Sequence, residues 1–151
     1  MFDAEGERTA DVLAARLTGV DDPQLALATW IDQNLAVFLE PRRARRTRVM
    51  LSAEMRRVAG YDAALDRNHE RLRVSLLRIL REGRARGVFA HTDPDRDAGT
   101  ILDIVQRSGL DRGARSVPGD RDAEAVTRHV VDFVGRALGT TIPAAPAAVD
   151  G

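Results

Sequence analysis

The chain's 151 residues are enough for one domain that buries roughly two-thirds of its surface, and its 23 arginines, with no lysine, balance 23 acidic residues to a formal net charge of zero. That balance excludes a surface built as a whole for polyanions, and the absence of cysteine excludes disulfides, thiol nucleophiles and thiolate metal sites. No apolar stretch approaches the roughly 20 residues of a membrane span, and the acidic opening MFDAEGERTAD is unlike a secretion signal, so a soluble cytoplasmic chain with no membrane partner is expected.

The periodicity of apolar residues is helical throughout, with no convincing alternation of period two. A first helix over about 7–18 carries Ala10, Leu13 and Leu17 in one stripe and stops at TGVDDP. Asp22 can cap the second helix and Pro23 fits its first turn; Leu27, Ile31, Asn34 or Leu35, and Phe38 then share a face until Leu39, and Pro41 breaks the chain. A third helix is expected over about 42–58, with Ala44, Leu51, Met55 and Val58 inward, ended by Gly60. The longest, about 62–86, is striped by Leu65, His69, Leu72, Leu76, Ile79 or Leu80, and Gly83, with Gly87 as its terminating glycine. A fifth begins at TDPDRDA, where Asp93 can cap and Asp95 and Asp97 suit the positive end of the helix dipole; its inward stripe is Ala98, Ile101 or Leu102, and Val105. Gly109, Gly113, Pro118 and Gly119 read as a loose connection, about 121–138 as a last helix, and 140–151 as a disordered tail. The fold class expected is all-α, an antiparallel bundle of about six helices.

Charge is distributed unevenly: residues 1–40 carry 2 arginines against 8 acids, 41–90 carry 14 against 5, and 91–151 carry 7 against 10. The stretch EPRRARRTR, residues 40–48, is the densest part of the basic middle. Its arginines fall on the outer face of the third helix and lack the interleaved aromatic or amide groups that read bases, so a solvated face is expected rather than a DNA reader.

Motifs for chemistry are sparse. Asp93, Asp95 and Asp97 begin like a calcium loop, but Ala98 stands where a glycine is needed and Ile104 where a bidentate glutamate belongs. His69, His91 and His129 are too scattered to form a recognisable metal site, and no serine sits in a G-x-S-x-G elbow. No enzyme activity, metal or cofactor is expected. TILDIVQRSGLDRGARSV imitates a helix-turn-helix, but its second segment, between Gly109 and Pro118, is short and contains Gly113.

The segment LREGRARGVFAHTDPDRDAGTIL closes a long helix with Gly83 and Gly87, adds Phe89, and opens the next helix at Asp93-Pro94 with Ala98 and Ile101 or Leu102. Together with the helix order, it resembles the C-terminal effector-binding and dimerisation domain of tetracycline-repressor (TetR) family transcriptional regulators over about residues 7–139. The resemblance implies a ligand-sensing and dimerisation domain over 1–139, without the N-terminal helix-turn-helix through which such regulators contact DNA. It implies a homodimer in which the last two helices of each subunit form a four-helix bundle, and a pocket among the middle helices for a small, mostly apolar effector.

For the dimer interface the residues expected are Val126, Val130, Phe133 and Ala137, because the last helix is apolar on more than one side. For the pocket they are Trp30, Asn34, Phe38, Met50, Met55, His69, Leu72 and Leu102, chosen around two polar residues, Asn34 and His69, in otherwise apolar stripes. The alternative is a stand-alone helical pairing module that acts by protein contact.

Overall fold

The computed structural model describes residues 2–115 and 120–147. Its helices are α1 (Phe2–Leu17), α2 (Pro23–Leu39), α3 (Pro41–Met50), α4 (Tyr61–Ala85), α5 (Pro94–Arg115) and α6 (Asp120–Leu138), with a single 3-10 turn at Met55–Arg57. The described residues contain no strand, so the all-α expectation holds for them.

Helix α2 is central, and its boundaries follow from its ends. The Asp22 carboxylate accepts the Gln24 N–H at 2.9 Å, satisfying one of the donors that a helix start leaves free, and Pro23 occupies the first helical position. At the other end Pro41 cannot continue the hydrogen-bond ladder and instead opens α3. Between them Leu27, Trp30, Ile31 and Leu35 are almost wholly buried on one face, and Ala28, Thr29 and Gln33 are buried on other sides of the helix. Leu76 and Leu80 of α4, Ala98, Leu102 and Val105 of α5, and Val130, Val134 and Leu138 of α6 complete the core around it.

Close approach of α4 to the following loop is set by glycine. Gly87 has φ +75°, a left-handed conformation that favours glycine, and there the chain doubles back so that Val88 and Phe89 both donate to the Gly83 carbonyl. Phe89 then packs against Gly83, where a Cβ would overlap its ring. The Asp97 carboxylate accepts from the Thr92 hydroxyl at 3.0 Å and the Asp93 N–H at 2.8 Å, fixing the start of α5.

Four expectations are corrected. The third helix ends at Met50, not 58: Leu51 leaves helical geometry and the Ser52 hydroxyl accepts the Met55 N–H, a local bond that competes with the helical ladder. Helix α5 runs through Gly109 and Gly113 to Arg115 without a turn, which removes the helix-turn-helix imitation; Gly109 is there because Phe38 of α2 packs where its Cβ would be. Pro118 and Gly119 lie outside the described residues.

The bundle is also not antiparallel throughout. Arg71, near the middle of α4, approaches Glu7 in the first half of α1, and Arg86, just past the end of α4, donates to the Asp21 carbonyl beyond the end of α1, so the two helices run in the same direction. Lastly, residues 140–147, the described part of the expected tail, fold back on the bundle as a strap without helix or strand. It leaves α6 over Gly135, buries Ile142 in the core, receives hydrogen bonds from Gln24 at Thr140 and Thr141, and ends with the Pro146 carbonyl accepting from Arg16 at 3.0 Å. Residues 148–151 lie outside the described part.

Candidate functional site

The residues expected to line a pocket do not converge on one. Trp30, Leu72 and Leu102 belong to the packed core. The Trp30 indole N–H donates to the Ser75 hydroxyl at 2.8 Å, and that hydroxyl donates to the Leu72 carbonyl. Asn34 is buried, but its amide donates to the Trp30 carbonyl one turn earlier in the same helix, so the polar group in the apolar stripe is satisfied locally. Phe38 is half-buried against Gly109. Met50, Met55 and His69 are half-buried, and Leu65, which was to share the His69 stripe, is 42% exposed. The first half of α4 runs past the core; at 25 residues, about 37 Å, the helix outreaches it.

A cleft of about 540 Å³ opens instead between α1, the turn into α2, and α4. This lies within the usual range for small-molecule sites, roughly 300–1,000 Å³. The α1 wall is apolar, formed by Ala10, Leu13, Ala14 and Leu17. Val20, Pro23 and Ala26 close the end beside α2. On α4 the apolar side chains Leu72 and Ile79 form the floor, while Arg71, Ser75, Arg78, Glu82 and Arg86 follow one another along the rim at helical spacing.

The rim charges are largely matched. Arg71 lies 3.8 Å from Glu7, and Arg86 pairs with Glu82 at 2.7 Å and donates to the Asp21 carbonyl at 2.6 Å. Arg78 has neither hydrogen bond nor ion pair among the described residues. Glu70 and Arg73 form a bidentate pair outside the cleft, at 2.8 and 2.7 Å; the Arg73 hydrogen bonds hold the Glu70 carboxyl below its ordinary range and raise the guanidinium above its own.

Of the pocket set only Leu72 lines this cleft. The signal in the sequence was the pair Arg71 and Arg78, two turns apart beside the Leu72 and Ile79 stripe. It reads as an ordinary solvated edge until α1 is known to lie along it.

The outer face of α6 is the second feature. Val130, expected at a dimer interface, is 1% exposed within the single chain, as it belongs to the chain's own core with Val134 and Leu138. Phe133 is 45% exposed, and Ala137 and His129 are also exposed, in one line with Ala125 at four-residue spacing. Val126 is half-buried and, with Val130, floors a groove of about 390 Å³ between α6 and α5, bounded by Ser108, Asp111 and Arg112. Arg112 and Asp122 bridge the two helices at 3.2 Å. The described residues hold no cluster of three metal-ligating side chains and no helix long and apolar enough to cross a membrane. No protein family, curated protein or solved structure matches the chain.

Proposed function

We propose that the chain is the effector-binding and dimerisation part of a transcriptional regulator of the tetracycline-repressor kind, non-enzymatic, in which a small ligand biases the geometry of a homodimer. The observation that carries this reading is the double apolarity of α6. One side completes the core through Val130, Val134 and Leu138, while Phe133 stands in water on the other, between His129 and Ala137. A large aromatic left wet beside an apolar-floored groove marks a contact surface. Because α5 and α6 are adjacent, a two-fold axis beside α6 assembles four helices around Phe133.

The cleft is bordered by the first turns of α2, and α2 also packs against α1, α4, α5 and α6. A ligand that prefers one setting of α1 against α4 therefore shifts the population of dimer geometries through a single central helix. Light scattering at micromolar concentration is expected to give a dimer, burying near the roughly 1,600 Å² of a standard interface; a monomer overturns the reading. The pairing-module alternative predicts the same dimer, but with a melting temperature indifferent to any small molecule.

A further inference from the structure

We infer that the cleft between α1 and α4 selects an amphipathic carboxylate, an apolar body carrying a single anionic head, and that Arg78 is the residue that receives the head. The inference rests on the sensing role proposed above and adds the chemical class of the effector. Three observations lead to it.

The walls are apolar over most of their length, from Ala10 to Leu17 on α1 and at Leu72 and Ile79 on α4, so the bulk of an occupant gains by leaving water. Since α1 and α4 run side by side in the same direction, with Glu7 beside Arg71 and Asp21 beside Arg86, the cleft extends along both helices and suits an elongated body. The third observation is the charge arrangement of the rim. Arg86 is held by Glu82 and the Asp21 carbonyl, and Arg71 leans towards Glu7, whereas Arg78, between them, has no partner among the described residues.

A guanidinium at the edge of an apolar cleft offers a planar donor fork that a carboxylate matches with two parallel hydrogen bonds. Arg71, two turns away on the same side of α4, adds to the positive potential there. Glu82 stands one turn beyond Arg78, held by Arg86, and Asp21 lies beyond it at the α2 end, so an anion is repelled from that end, the head is directed to Arg78 and the body lies against Leu13, Leu17 and Ile79.

The test is calorimetric titration of the full chain with decanoate below its micellar concentration, with 1-decanol as the uncharged counterpart. Saturable one-site binding of decanoate is expected. Arg78→Gln is expected to weaken it at least tenfold and to leave decanol within twofold. Arg78 is exposed, so the substitution leaves the core intact. Ala14→Phe, on the exposed wall of the cleft, is expected to remove binding of both probes.

Decanoate that does not saturate the wild-type chain, or binds Arg78→Gln as well as wild type, overturns the proposal. Equal binding of decanol and decanoate, both removed by Ala14→Phe, also overturns the anionic class but leaves the sensing role standing. A monomer in light scattering removes that role whatever the titration gives.

Discussion

Glycine at a helical position has two opposite meanings here, and the structure separates them residue by residue. A Cβ on Gly83 would overlap the Phe89 ring and one on Gly109 the ring of Phe38, while one on Gly99 meets nothing within 4 Å. Helix propensity alone makes every Gly→Ala change favourable by up to about 1 kcal/mol. Gly99→Ala is therefore expected to stabilise the chain by about that amount, whereas Gly83→Ala and Gly109→Ala are expected to destabilise it by about 1–3 kcal/mol through overpacking. Urea unfolding midpoints of the three variants check both signs.

The same residues explain part of what was legible in the sequence. Gly87 announced the end of α4 because a left-handed turn needs glycine there, but Gly109 looked like punctuation and is a packing contact with a residue 71 positions away. Asn34 misled for a related reason. A polar residue in an apolar stripe must be satisfied by something, and a carbonyl one turn back is as sufficient as a ligand.

At the scale of elements, the boundaries read correctly are those written in local chemistry. Asp22-Pro23 and Pro41 bracket α2, and Asp93-Pro94 opens α5, because caps and prolines act within a turn of where they stand. Removing the cap by Asp22→Ala is expected to cost about 1 kcal/mol in the same unfolding measurement. What local chemistry does not contain is partnership between distant segments. TTIPAAPA, residues 140–147, has the composition of a tail, yet it becomes a strap because Gly135 leaves room beneath it and the core accepts Ile142. Ile142→Ala is expected to cost about 2 kcal/mol, towards the lower end for a buried aliphatic truncation since the strap lies at the edge of the core. A neutral result would mean that the strap contributes nothing to the fold. The cleft escaped notice for the same reason as the strap, as its two walls are about 60 residues apart in sequence.

For the whole molecule, the two faces of α6 make distinguishable predictions. Phe133→Glu places a charge on the outward face and is expected to yield a monomer with unchanged helix content, followed by light scattering and circular dichroism. Val130→Asp, in contrast, buries an unpaired charge in the core and is expected to unfold the chain. Charge is segregated at this scale too. The exposed arginines of α3, among them Arg42, Arg45 and Arg48, form a basic edge on a neutral molecule, with Glu40 3.8 Å from Arg43. Duplex DNA is expected to bind this chain weakly, without sequence preference, and with an affinity that falls steeply as salt rises. Sequence-selective nanomolar binding in a filter assay is the contrary outcome.

The hydrogen bond from Trp30 to Ser75 has an optical consequence. The chain has a single tryptophan; its ring is fully buried, and its only polar atom is bonded to a hydroxyl on the wall of the α1–α4 cleft. The emission of the unlabelled molecule thus comes from one dry indole whose hydrogen-bond acceptor borders the space a ligand would fill. Occupancy that turns or displaces the Ser75 hydroxyl changes the energy and yield of that emission directly, while events at the outward face of α6 reach the indole only through α2 itself.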